Sequence, residues 1–131
     1  MDSTTIELPG SEIDSITLTE GKLSVNFSRA IIIKTISDSD ERTRWWQAGA
    51  LVFEDPEIEG DIPGCPCICD GGDVGENIYT YRDMLPLPLK SKGHAHCDLK
   101  IKDQPESLKV VATGVELEME DRPHYIEHLR D

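Results

Sequence analysis

Apolar and polar residues alternate with a period of two along most of this chain, the pattern of β-strands with one buried and one wet face. Leu23, Val25 and Phe27 point one way while Lys22, Ser24 and Asn26 point the other. From Ala30 to Ile33 both faces turn apolar, which predicts that this half of the strand is covered on both sides. Upstream, Ile16 and Leu18 alternate with Ser15, Thr17 and Thr19, and Glu20-Gly21 supplies a turn into Lys22, so a hairpin is expected. Ile6 and Leu8 make a short strand that Pro9-Gly10 is expected to end.

The polar stretch from Ser37 to Arg44 reads as a loop or the first turn of a short helix. Trp45 and Trp46 follow it, and Ala50 to Phe53 forms an apolar strand closed by Asp55-Pro56. Residues 60–75 are rich in Gly, Pro, Asp and Cys and read as the longest irregular loop. Ile78 to Tyr81 reads as a strand, and the alternating prolines of Leu85 to Leu89 call for an extended edge segment. Ala95, Cys97, Leu99 and Ile101 then face inward, with His94, His96, Asp98, Lys100 and Lys102 outward. Leu108, Val110 and Ala112 alternate until the apolar phase flips to Val115, Leu117 and Met119, placing a bulge or tight bend at Thr113-Gly114. Only Tyr125 to Arg130 carries a trace of helical period. These elements describe one all-β domain over residues 1–131, a sandwich or barrel of about eight short, mostly antiparallel strands with little helix.

At 131 residues the chain can bury a core without disulfide or metal staples. Thirteen basic against twenty-six acidic side chains leave a formal charge of -13, a field that repels nucleic-acid phosphates and anionic lipid. It suits a basic protein as partner. No apolar run approaches the ~18 residues of a membrane span, so no membrane partner is expected. Met1 to Glu7 lacks the basic and apolar regions of a secretory signal, so a cytoplasmic location and reduced thiols are expected. Leu85 to Leu89 offers an apolar edge on which a homo-oligomer could form.

Cys65, Cys67 and Cys69 lie two residues apart, so on an extended chain their thiols share one side and could converge on a soft metal. His94 and His96 are a second donor pair, and together these residues could furnish a zinc site; an ordinary Gly/Pro/Cys loop is the alternative. Cys97 shares the parity of Leu99 and Ile101 and belongs to the core. His94-Ala95-His96 resembles the His-x-His of cupins, whose motif wants a glutamate where Lys100 and Ile101 stand. His124-Tyr125-Ile126-Glu127-His128 matches the inverzincin pattern His-x-x-Glu-His, which works only on a helix and with a further carboxylate.

Trp45 and Trp46 are candidate binding residues because adjacent strand positions face opposite sides, leaving one indole inside and one available to a ligand. Arg29 interrupts an apolar face, where a buried or half-buried arginine needs a carboxylate partner; structural pairing is the expectation and anion binding the alternative, and Arg29 and Tyr81 join the tryptophans as candidate ligand- or partner-binding residues. There is no Gly-x-Ser-x-Gly elbow, no phosphate-binding Gly-x-x-x-x-Gly-Lys loop and no Gly-x-Gly-x-x-Gly fingerprint. The expectation is a non-enzymatic acidic β-domain that binds a protein partner, inhibitor- or immunity-like. A metal-binding protein using the cysteines is the alternative, and an enzyme with a small-ligand cleft near Trp45, Arg29 or Tyr81 the third. Zinc is the one cofactor the residues suggest.

Overall fold

A computed structural model describes residues 3–36 and 41–129. Every regular element among the described residues is a strand: β1 (Ser3–Thr19), β2 (Lys22–Ile36), β3 (Glu41–Glu54), β4 (Glu57–Glu59), β5 (Cys67–Glu76), β6 (Tyr79–Arg82), β7 (Met84–Pro86), β8 (Lys90–Ile101), β9 (Leu108–Met119) and β10 (His124–Leu129). Hydrogen bonding runs β1-β2-β3-β9-β8-β5 and returns to β1, closing a six-stranded antiparallel barrel. Closure removes the sheet edges that an open sheet of this size would expose. No helix among the described residues is long and apolar enough to cross a membrane.

The alternating residues fill the barrel. Leu23, Val25, Leu51, Phe53, Leu99 and Leu108 are all fully buried, each worth roughly 1.5–3 kcal/mol of transfer free energy. Cys97 joins them, as its parity requires. The hairpin at Glu20-Gly21 forms with Thr19 opposite Lys22 and both turn residues at positive φ, 48° and 76°.

The strands are longer and more numerous than the spacing of turn residues suggests, because several breakers bend a strand without ending it. Pro9-Gly10 lies inside β1: between Glu7 and Glu12 the register against β2 slips, with Gly10 at φ 89°. A matching slip separates Phe27 from Ala30 on β2 where it meets β3. These bulges divide the sheet into the barrel proper and a five-stranded flap, β7-β1-β2-β3-β10, built from the outer halves of the long strands. Two buried polar side chains stitch the bend. The Ser11 hydroxyl donates to the Glu7 carbonyl at 2.7 Å and accepts the Ile31 N–H at 3.0 Å. Gln47 Nε2 donates to the carbonyls of Glu120 and Asp121, both at 3.2 Å, where the chain turns from β9 into β10.

Three further expectations are corrected. Residues 60–75 are not one loop, since β5 begins at Cys67; its register against β8 slips between Cys69 and Gly71, and the Gly72 N–H is taken by Asp83 Oδ1 at 2.9 Å. Gly72 allows close backbone approach: a Cβ there would collide with the Asp98 carbonyl oxygen. Glu41 to Arg44 belong to β3 instead of a loop or helix, while residues 37–40 lie outside the described set. The tail from His124 is strand β10, paired with β3, so its apolar spacing does not reflect a helix. Leu85 and Leu89 are buried and Leu87 packs on the core, so the leucines of that edge segment are used internally.

Candidate functional site

The two tryptophans are the centre of the flap. Trp45 and Trp46 are consecutive on β3 and project to opposite faces, each flanked by a residue from β2 and one from β10. On the inner face Leu85, Ile6, Ile32, Trp45 and Tyr125 form one cross-strand row. Lys34 Nζ lies 4.3 Å from the Trp45 ring centroid, and Tyr125 meets that ring edge-on at 5.3 Å. On the outer face His124 stacks on Trp46 at 4.2 Å and the Arg29 guanidinium lies 4.7 Å from its centroid. Trp45 Nε1 donates to Thr43 Oγ1 at 2.7 Å, and Arg44 pairs with Glu127 at 2.9 Å. Both indoles are half-buried under side chains of this same chain. Arg29 is exposed and covers an indole, which corrects the expectation of a half-buried arginine facing a carboxylate: the bulge at Ser28-Arg29 turns it outward.

Tyr81 is not brought to them. It lies on β6, which pairs with β5, the barrel wall opposite β3. Partial burial and the neighbouring Glu76 carboxylate raise its phenol above the ordinary range.

The three loop cysteines form a line running out of the barrel. Cys69 is opposite Ile101 and buried, with its thiol 3.6 Å from the Gly71 carbonyl. Cys67 is opposite Ile13 at the rim and half-buried, and Cys65 is exposed beyond the end of β5. Burial pushes the Cys69 thiol up to about 11, and burial with the adjacent Cys65 pushes Cys67 up to about 12. Cys65 and Cys67 Sγ are 3.8 Å apart and could hold one soft cation together. His94 and His96, with rings 5.8 Å apart, lie toward the other end of β5, where His96 is opposite Gly75. Six residues of strand separate Gly75 from Cys69, roughly 20 Å at the usual rise, so thiols and imidazoles do not share one ion. Among the described residues no group of three or more His, Cys, Asp or Glu is arranged to hold a metal. The His124 to His128 segment is extended, so its histidines lack the helical spacing of the inverzincin pattern.

The outer strand halves that build the flap carry Arg29, Lys34, Arg42 and Arg44 against Glu7, Glu41 and Glu127, so those described strand residues are close to neutral. One concentration of acidic side chains surrounds β4, the short strand at the end of the sheet order. Ile58 packs on the core while Glu57 and Glu59 are exposed, and Glu59 borders an open hollow of about 390 Å³ lined also by Asp61, Glu106 and Lys109. Among the described residues no cation pairs with Glu57, Glu59, Asp61 or Glu106. A second acidic hollow, with Asp70, Asp73, Asp83 and Asp98, is already partly satisfied: Arg82 pairs with Asp73 at 3.0 Å and Asp83 accepts the Gly72 N–H. Asp73 in turn holds the Arg82 guanidinium in its charged form.

The acids at β4 were visible in the sequence as Glu57, Glu59 and Asp61 alternating around Ile58. Their convergence with Glu106, from the β8–β9 connection, was not, because it depends on β4 pairing with β9 at Glu59 and Lys109. Comparison with protein-family models, curated proteins and solved structures finds no match to this chain.

Proposed function

We propose that this barrel is a non-enzymatic binding module whose partner is a protein with a basic surface, docking at the acidic edge formed by β4. The observation that carries this reading is the unpaired carboxylate set Glu57, Glu59, Asp61 and Glu106 beside a strand whose one ladder, among the described residues, is to β9. An extended basic segment can add to the free side of such a strand, with main-chain hydrogen bonds for affinity and alternate side chains for selection. The acidic field speeds encounter with a basic partner and keeps two like-charged edges of this protein apart.

The test is capture of partners by tagged protein at low and moderate salt, with the paired charge reversal Glu57→Lys/Glu59→Lys run beside it. The reading expects a basic protein that is released as salt rises and whose affinity falls at least tenfold with the double variant. Binding that ignores both salt and the reversal would place recognition elsewhere, and the flap variant Trp46→Ala would then show whether the aromatic face carries it.

A further inference from the structure

We infer that Cys65 and Cys67 form a dithiol–disulfide exchange site at the mouth of the barrel, with low-molecular-weight disulfides as its reactants. The sulfurs are 3.8 Å apart and in contact. A disulfide bond is about 2.05 Å long, so rotation of an exposed side chain by roughly 2 Å at sulfur brings the pair to bonding distance. Cys65 is exposed and lies outside the ladder, with its thiol 3.8 Å from the Pro63 carbonyl, so an incoming disulfide can reach it.

The other soft donors are held away. Cys69 lies inside the barrel against the Gly71 carbonyl, Cys97 is buried on β8, and the histidine pair lies toward the far end of β5. A tetrahedral metal would need two more ligands at this spot, and none is arranged there among the described residues. Two thiols in mutual contact with no third donor suit two-sulfur chemistry.

The order of the steps follows from exposure. The Cys65 thiolate attacks one sulfur of the small disulfide; that S–S bond breaks, and its electron pair leaves on a thiolate that takes up a proton. The Cys67 thiol then loses its proton to water and attacks Cys65 Sγ of the mixed disulfide, expelling the second small thiol. The protein is oxidised by two electrons and one small disulfide is reduced to two thiols. Cys67, half-buried and pushed up to about 12, is the slower, resolving partner.

Position gives this chemistry a structural consequence. β1 and β5 join through Glu12 with Ile68 and Ile13 with Cys67, the shortest seam in the barrel among the described residues. A bridge from Cys67 to Cys65 ties the 60–66 connection to the end of that seam. An apolar-lined hollow of about 260 Å³, bounded by Ile13, Ser28, Pro66 and Cys67, adjoins it.

The experiment is incubation of folded, metal-free protein with glutathione disulfide in the presence of a chelator, followed by alkylation and intact-mass and peptide analysis. The wild type is expected to lose two alkylatable thiols with no retained glutathionyl group and to yield a Cys65–Cys67 linked peptide. Cys67→Ser is expected to stop at a single glutathionyl adduct on Cys65, and Cys65→Ser to react at least tenfold more slowly. Circular dichroism of both variants checks that the barrel is intact. A stable adduct on the wild type, a bridge involving Cys69 or Cys97, or four thiols left unreacted would each overturn the inference.

Discussion

Trp45 and Trp46 are neighbours in the chain but sit on opposite faces of the flap, and β2 and β10 supply each with a cation and an aromatic ring. The inner indole packs against the barrel core and the outer one does not. The two therefore do different work, and substitution separates them. Trp45→Ala is expected to cost about 2–3 kcal/mol, less than a fully buried tryptophan, and Trp46→Ala about 1 kcal/mol. Urea unfolding of the two variants checks the order; equal costs would mean that the outer stack supports the fold as much as the inner one.

Ser11 tests the bend between barrel and flap. Its hydroxyl holds the Glu7 carbonyl and the Ile31 N–H where the β1–β2 ladder is interrupted, and it is fully buried. Ser11→Ala leaves both groups without that partner and is expected to destabilise by about 1–3 kcal/mol. Hydrogen exchange should show faster opening of the Ile31 amide in particular.

Glycine substitutions distinguish crowding from backbone strain. Gly72 and Gly10 both have positive φ, at 133° and 89°, but a Cβ at Gly72 meets the Asp98 backbone whereas one at Gly10 meets nothing within 4 Å. Gly10→Ala is expected to cost about 1–2 kcal/mol from conformation alone. Gly72→Ala should cost clearly more, since β5 must move away from β8. Thermal unfolding of both variants is the measurement.

Alkaline stability follows from the buried thiols. Cys69 rises from an ordinary value of 9.0 to about 11, chiefly by burial, and burial raises Cys97 as well. The folded chain keeps protons that the unfolded chain releases, so the stabilisation is fully present below about pH 9 and is lost as pH climbs through about 11. Cys69→Ala removes its share of that slope, on the order of 2 kcal/mol across the window. Denaturant midpoints of the wild type and the variant at pH 8 and pH 10.5 should converge as pH rises; parallel losses would assign the alkaline transition to other groups.

Much of the barrel was legible from period two alone. The inward parity of Ala95, Cys97, Leu99 and Ile101 is a property of an extended chain, and so is the phase flip at Thr113-Gly114, where Gly114 and Val115 are both buried. The common side expected of Cys65, Cys67 and Cys69 needed all three on one extended strand, but β5 starts at Cys67, so Cys65 is exposed ahead of it, Cys67 is half-buried at the rim and Cys69 is buried inside the barrel. The breakers misled for a related reason: Pro9-Gly10, Gly71-Gly72 and the polar Glu41 to Arg44 carry local preferences for turns, and ladder bonds from neighbouring strands overrode them.

Local alternation determined that this protein is β-structured, which residues form much of its core and where its tight hairpin lies. Each of these depends on neighbours along the chain, where side-chain period and turn chemistry act directly. Tertiary structure alone decided the closure of β3 onto β9, the division into barrel and flap, the placing of Glu106 beside Glu59 and the isolation of Cys65 and Cys67 as a pair. Those relationships depend on which strands meet and in what register, and pairing energy is a property of two distant segments that neither carries by itself.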